Sequence, residues 1–169
     1  MSKGILILNE YGYFPAGFHD MTQDEIISSL VENFPDSKTR KIIFDGYVNF
    51  CQNMINCGIK NFVQWLDGSF CTSKENPNDI DIVTIIDDAE FKNLNEKQKN
   101  NLKLIAERTN AKSRYKCDSF ILIAYPKKHD KYKDYINNYM YWRGVWGFDR
   151  NDIPKGIIRV TYGKGIQDE

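Results

Sequence analysis

Residues 62–86, FVQWLDGSFCTSKENPNDIDIVTII, contain the most regular pattern in the chain. An apolar run, Phe62–Leu66, ends at Asp67-Gly68-Ser69. The polar loop 72–78 holds Lys, Glu, Asn and Pro, which are turn and solvent residues. The run Ile80–Ile86 that follows is rich in β-branched residues. The segment therefore predicts a strand, a tight turn, a loop and a second strand.

Two carboxylates, Asp79 and Asp81, stand at the start of this second strand. Because side chains on a strand alternate with a period of two, both carboxylates face the same side. Like charges beside a run of Ile and Val repel each other and lose hydration unless a cation lies between them. The pair is therefore a candidate site for a divalent metal with oxygen ligands. The simpler alternative is that Asn78-Asp79 closes a turn and Asp81 faces solvent.

The turn at Gly68-Ser69 predicts an anion site. Glycine permits a positive φ and a close approach of ligand to backbone. Successive N–H groups at such a turn form an anion-binding concavity, and the Ser69 hydroxyl adds a donor. Nine residues separate Ser69 from Asp79, so a hairpin returns the chain beside the turn. The phosphate and metal sites are then expected at one cleft edge.

The pattern Gly68-Ser69, nine residues, then Asp79-Ile80-Asp81 resembles the signature of the DNA polymerase beta superfamily of nucleotidyltransferases. That superfamily also uses a third carboxylate on a neighbouring strand, and Asp118 stands at the head of the run Ser119–Ala124. The resemblance covers about residues 62–125. The flanks, residues 11–20 and 142–158, more loosely resemble a family of short bacterial nucleotidyltransferase-like proteins.

The resemblance implies roles for these residues. Asp79 and Asp81 are expected to hold two Mg²⁺ ions about 3.5–4 Å apart, with Asp118 as third anchor and candidate proton acceptor. Gly68 and Ser69 are expected to bind the β- and γ-phosphates of a nucleoside triphosphate. An acceptor hydroxyl then attacks the α-phosphate and pyrophosphate leaves.

Basic and aromatic residues outside the motif are weaker candidates. Lys74 in the polar loop is within reach of phosphate, although loop lysines are more often simply solvated. One of Lys155, Arg143 and Arg150 is expected to contact phosphate or acceptor. Four aromatic side chains are candidates for stacking a nucleobase, or else belong to the core: Tyr139, Trp142, Trp146 and Phe148.

The sequence leaves several functions open. The first is a nucleotidyltransferase that modifies a protein side chain, an RNA end or a small molecule, by analogy within a toxin–antitoxin or phage-defence module. The second is a catalytically quiet binding module of the same fold that acts through a partner protein. The third and weaker is a metal-dependent phosphodiesterase.

Composition sets further limits. The 169 residues predict one domain, a minimal nucleotidyltransferase domain over residues 1–169 with its motif core at about 60–125. Lys plus Arg and Asp plus Glu both number 23, so strong general affinity for nucleic acid is not expected, although a local basic patch remains open. The four cysteines form no C-x-x-C pair and are expected to be free thiols. No segment approaches the roughly 20 apolar residues of a membrane helix, so no membrane partner and a cytoplasmic location are expected.

The order of predicted elements indicates an α+β fold, a small mixed sheet with helices packed on one face. A capping box at Thr22 and Glu25 predicts a helix to about Asn33. Besides the two core strands, the other predicted elements are a strand at 4–9, helices at 38–56, 96–109 and 130–143, and strands at 117–125 and 155–162.

Overall fold

The computed structural model describes residues 8–166, which form a five-stranded mixed sheet and six α-helices. The strands are Gly17–Asp20 (β1), Phe62–Asp67 (β2), Ile80–Asp87 (β3), Cys117–Ala124 (β4) and Gly156–Tyr162 (β5). The helices are Gln23–Ile27 (α1), Arg40–Cys57 (α2), Asp88–Lys92 (α3), Glu96–Ala106 (α4), Arg108–Tyr115 (α5) and Tyr132–Trp146 (α6). A π-helical turn, Ser28–Glu32, extends α1, and a short 3₁₀ helix, Ser69–Cys71, follows β2.

The sheet has the order β1-β5-β2-β3-β4. The predicted hairpin is confirmed, since β2 and β3 pair antiparallel with Asp67 opposite Asp81. The helices α3 to α5 form the crossover that brings β4 parallel to β3. On the other side of β2, β5 pairs antiparallel with it and parallel with β1.

Helices cover both faces of the sheet, so the expectation of helices on one face is wrong. One core lies between the sheet and α2, α4 and α5, and includes Ile82 and Ile86. The other includes Val83 and Ile85 and is covered by α6 through Trp146. The physical reason lies in β3, whose Ile and Val residues face both sides and are buried on each.

Local capping signals explain the helix ends. Thr22 and Glu25 form the predicted capping box, and Gly58 ends α2 in the left-handed conformation at φ 113°. The predicted helix 96–109 instead ends at Ala106. The Glu107 carboxylate accepts the N–H groups of Thr109 and Asn110, which starts α5.

The remaining predictions concern the short elements, the cysteines and the absence of a membrane helix. Strand β1 and helix α3 are absent from the sequence-based prediction. Of the predicted strand at 4–9, residues 4–7 lie outside the described residues, and Leu8 and Asn9 do not form part of a strand. All four cysteines are buried free thiols, as expected: Cys51, Cys57, Cys71 and Cys117. Across residues 8–166, no helix has the length and apolar character needed to cross a bilayer.

Candidate functional site

Three aspartates lie side by side across neighbouring strands. Asp67 ends β2 opposite Asp81 on β3, and Asp81 in turn lies opposite Asp118 on β4. Asp79 precedes β3 by one residue and faces the same side as Asp81. The structure therefore brings together the three predicted carboxylates and adds a fourth, Asp67. We call Asp67, Asp79, Asp81 and Asp118 the carboxylate cluster.

Asp81 is the central and least compensated member of the cluster. Its pKa is raised to about 6, first by burial and then by the charges of Asp79, Asp67 and Asp118 in that order of importance. Within residues 8–166 its side chain has no hydrogen-bond or ion-pair partner. A partly buried carboxylate without a partner and close to three others is stabilised when it binds a cation or takes up a proton.

Two cations from α5 contact the cluster from the β4 edge. Arg108 donates both Nε and Nη2 to the Asp118 carboxylate, at 2.5 and 2.7 Å. Lys112 Nζ lies 2.7 Å from Asp79 and 3.7 Å from Asp118. The two side chains share one face of α5 because they are four residues apart. The Arg108 hydrogen bonds lower the pKa of Asp118, which favours an anchoring role over a role as base.

Lys155 holds the fourth carboxylate. Its ammonium pairs with both oxygens of Asp67, and both side chains are largely buried. Burial raises the pKa of Asp67, and the Lys155 charge and the Gly68 N–H partly offset that rise. Lys155 therefore lies at the cluster, where its contact is with Asp67.

The turn at Gly68 packs directly against the cluster. Gly68 has φ 79°, a conformation that favours glycine. A Cβ at this position would overlap the Asp81 carboxylate. Half-buried Ser69 then opens the 3₁₀ helix, and the first N–H groups of a helix have no partner within it. The two predicted phosphate-binding residues thus lie beside Asp81.

A buried arginine shapes the loop after this turn. The Arg40 guanidinium donates to the carbonyls of Phe70, Thr72 and Lys74, at 2.6 to 2.7 Å. Burial lowers the pKa of Arg40 to about 10. The Lys74 side chain itself is exposed, so this predicted residue is fixed through its backbone alone.

The four aromatic candidates differ in how deeply they are buried. Trp146 is buried, and Tyr139 packs edge-on against Trp65 with ring centroids 4.6 Å apart, so both belong to the core. Trp142 packs against Phe120 with centroids 4.3 Å apart. Phe148 is half exposed.

The donor chemistry of the cluster fits a hard divalent cation, for which carboxylate oxygens are the preferred ligands. Unpaired Asp81 faces three other carboxylates. The Lys112 ammonium lies between Asp79 and Asp118, so positive charge is already accommodated there. In the arrangement seen here, no three acidic, His or Cys side chains of residues 8–166 converge as a metal-binding group.

Sequence reasoning missed four residues that shape this site. Asp67 was visible as the residue before Gly68, and the hairpin register would have placed it opposite Asp81. Arg108 and Lys112 give no signal, because the helix predicted over 96–109 ends within the segment that contains them. Arg40 gave no signal, since nothing in its neighbourhood distinguishes it from a solvated helix residue.

A family model matches residues 6–161, and the chain belongs to that family, described as a family of unknown function (DUF6932). No curated protein and no solved structure matches the chain.

Proposed function

We propose that the protein is a Mg²⁺-dependent nucleotidyltransferase, which transfers a nucleoside monophosphate from a nucleoside triphosphate to a hydroxyl group. The observation that carries the proposal is unpaired Asp81, which lies between Asp67 and Asp118 on neighbouring strands and directly beside Gly68. We interpret β2, β3 and β4 with their turn as a nucleotidyltransferase-like core.

Asp79, Asp81 and Asp118 are the proposed metal ligands and catalytic residues. Bound Mg²⁺ would neutralise the triphosphate and activate the acceptor hydroxyl. Asp118 is held by Arg108 in one orientation, which suits an anchor. The catalytic effect of these residues would come from positioning and charge, as is usual in phosphoryl transfer.

The phosphate groups would bind at the turn. Ser69 would offer a backbone N–H group and a hydroxyl at the turn beside Asp81. The Gly68 N–H donates to Asp67, and Gly68 contributes by letting the Asp81 carboxylate pack directly against the turn. Lys155 is the better placed of the two predicted lysines, because it already reaches the cluster through Asp67. Lys74 is assigned only a secondary role, since its side chain points into solvent.

A second function has one observation in its favour. Arg108, Lys112 and Lys155 pair with three of the four carboxylates, an arrangement that also suits a fold retained for binding without catalysis. In that case the protein would act by docking on a partner protein. The two functions differ in whether Asp81 is required for label transfer.

The test is a transfer assay with each of the four α-labelled nucleoside triphosphates, Mg²⁺ and a bacterial lysate as the source of acceptors. Wild type is expected to label a protein or RNA band that Asp81→Asn does not. The control is Asp45→Asn, which removes an exposed carboxylate paired with Lys41 on α2 and should label as wild type does. Absence of label with every nucleotide, together with no stabilisation by Mg²⁺ and nucleotide, would overturn the enzyme proposal and favour the binding module.

A further inference from the structure

A pocket of about 740 Å³ lies at the end of the sheet opposite the carboxylate cluster. It is bounded by the ends of β3 and β4, by α3, by the first half of α6 and by residues 164–166. Ligand sites in proteins commonly have volumes of about 300–1,000 Å³. Asp81 and Asp87 stand near the two ends of β3, about 20 Å apart at the usual rise of a strand. A ligand in this pocket would therefore not reach the carboxylate cluster.

Three tyrosine rings form one wall of the pocket. Tyr132, Tyr135 and Tyr139 share one face of α6, because they follow one another at intervals of three and four residues. The centroids of successive rings are 6.4 and 6.0 Å apart. Tyr139 also packs edge-on against Trp65 in the core. All three side chains are half-buried, and they line the pocket without filling it.

A carboxylate at the end of β3 adds negative charge to the pocket. Asp87 lies on the same face of the sheet as Val83 and Ile85, which is the face covered by α6. Its Oδ1 accepts the N–H of Ala89 at 2.8 Å. Within residues 8–166 the Asp87 side chain makes no other hydrogen bond and no ion pair. Its second oxygen is therefore available to a ligand.

The other charged side chains of the pocket have partners or are exposed. Asp88 pairs with Lys92, and Glu90 accepts the backbone N–H groups of residues 60 and 61. Lys127 and Lys164 are exposed, and exposed charges contribute little to an interaction because water and salt screen them. The half-buried charge that a ligand would meet is therefore the Asp87 carboxylate.

We propose that this pocket binds a small organic ammonium ion, with its nitrogen at Asp87 and its carbon skeleton against the three tyrosines. A cation is attracted to the face of an aromatic ring, and a carboxylate oxygen accepts a charge-assisted hydrogen bond from an ammonium group. A neutral aromatic ligand would use the rings but leave Asp87 without a partner. An anion would be repelled by Asp87. The site is independent of the proposed function, since the two lie at opposite ends of the sheet.

Binding is measured by NMR titration of the isotope-labelled full chain with three probes of similar shape. Phenethylamine is positively charged at neutral pH, phenethyl alcohol is neutral and hydrocinnamate is negatively charged. The amine is expected to bind about tenfold more tightly than the alcohol, because it adds one hydrogen bond between charged groups. Hydrocinnamate should bind more weakly than either. The amide signals that shift should belong to residues of the pocket, such as Ala89 and Ile136.

The charge is tested by Asp87→Asn. Asparagine caps a helix about as well as aspartate does, so the variant loses the charge and keeps the start of α3. It should bind phenethylamine about tenfold more weakly and phenethyl alcohol as wild type does. The matched control is Asp134→Asn, which removes an exposed carboxylate of α6 that does not line the pocket. This control should bind the amine as wild type does.

The rings are tested by Tyr132→Ala, which should weaken the binding of both amine and alcohol about threefold. Tyr141→Ala removes a ring of the same helix that is 58% exposed and lies outside the pocket, and it should weaken neither. Urea unfolding of each variant shows whether its fold is intact. Equal affinities of wild type for amine and alcohol, tighter binding of hydrocinnamate, or equal effects of test and control variants would overturn the ammonium site. Absence of binding by every probe below about 10 mM would do the same.

Discussion

At the scale of single residues, Gly68 and Asp81 depend on each other. Gly68 combines a positive φ with the lack of space for a Cβ, because the Asp81 carboxylate occupies that space. Gly17 also has a positive φ, of 109°, but has nothing within 4 Å of the place where a Cβ would lie. A comparison of alanine substitutions at Gly68 and Gly17 therefore separates the cost of backbone strain from the cost of crowding Asp81.

We predict that Gly68→Ala lowers the free energy of unfolding by about 2–3 kcal/mol, whereas Gly17→Ala lowers it by about 1 kcal/mol. Both variants pay for the strained φ, and only the first displaces Asp81. Urea unfolding followed by circular dichroism measures the difference. Transfer activity should be lost in Gly68→Ala alone. Equal costs for the two variants would show that the contact with Asp81 adds nothing.

The raised pKa of Asp81 predicts a pH dependence of stability in the metal-free protein. The folded state retains a proton up to about pH 6, whereas the unfolded chain releases it near 3.8. The folded state binds more protons in this interval, so the contribution of Asp81 to stability falls as pH rises through it. Above pH 6 that loss is complete, and it amounts to about 2 kcal/mol for this partly exposed group.

The measurement is the free energy of unfolding of wild type and Asp81→Asn in EDTA, across this pH range. Asparagine has no charge to bury, so the variant should be more stable than wild type at neutral pH and should approach it in acid. Parallel pH curves for the two proteins would show that Asp81 has an ordinary pKa.

The residues that sequence could identify are those with local signals. Gly68, Ser69, Asp79 and Asp81 follow from turn chemistry and from the period of a strand. Asp118 was found only through a family resemblance, because its neighbour across the sheet is 37 residues away. The pairing of Lys155 with Asp67 could not be predicted, since it depends on β5 returning beside β2.

At the scale of elements, Arg40 joins helix α2 to the loop that follows the turn at Gly68. Its guanidinium donates to the carbonyl of Leu30 and to three carbonyls of residues 70–74. The Arg40 Cζ atom lies 3.7 Å from the centre of the Phe34 ring. The adjacent Lys41, by contrast, forms only an exposed pair with Asp45. Two consecutive basic residues thus serve different purposes.

We predict that Arg40→Met lowers the free energy of unfolding by about 3 kcal/mol, because several buried carbonyls lose their donor. The loop amides should also exchange their hydrogens faster, and the affinity for nucleoside triphosphate should fall. Lys41→Met should change stability by less than about 0.5 kcal/mol, as exposed pairs contribute little. Hydrogen exchange of residues 70–76 reads out the loop; unchanged exchange in Arg40→Met would contradict the role.

The ends of helices are predictable from sequence where a local capping residue marks them. They are ambiguous where the capping residue is also a good helix former. The Thr22 capping box and Gly58 both mark real ends. Glu107 reads as an ordinary helical residue, yet its carboxylate caps α5 and divides the predicted helix. Strand β1 has only four residues and exists through its pairing with β5, which no local pattern reveals.

At the scale of the whole molecule, the sheet is covered by helices on both faces, and its charged side chains are concentrated at the end where β3 begins. Apolar side chains of β3 fill both cores, and its first residues place Asp81 at the sheet end with Asp67 and Asp118. Arg108, Lys112 and Lys155 supply three positive charges against the four carboxylates. One negative charge stays uncompensated, and we assign it to Asp81, the member of the cluster that has no ion pair. The uncompensated charge therefore lowers the stability of the metal-free protein, and a bound cation would remove this loss.

This balance predicts opposite effects of one substitution with and without metal. In EDTA at neutral pH, Asp81→Asn should be more stable than wild type for the reason given above. With Mg²⁺ at about a hundredfold excess over its dissociation constant, wild type should gain about 2.7 kcal/mol and the variant almost nothing, so that the order is cancelled or reversed. Asp45→Asn should gain as much as wild type, since its carboxylate lies outside the cluster. Thermal and urea unfolding of the three proteins, each with Mg²⁺ and with EDTA, measure all six conditions. If Mg²⁺ leaves wild type unchanged while Asp81→Asn remains the more stable protein, the cluster binds no Mg²⁺, which would overturn the metal-dependent proposal and favour the binding module.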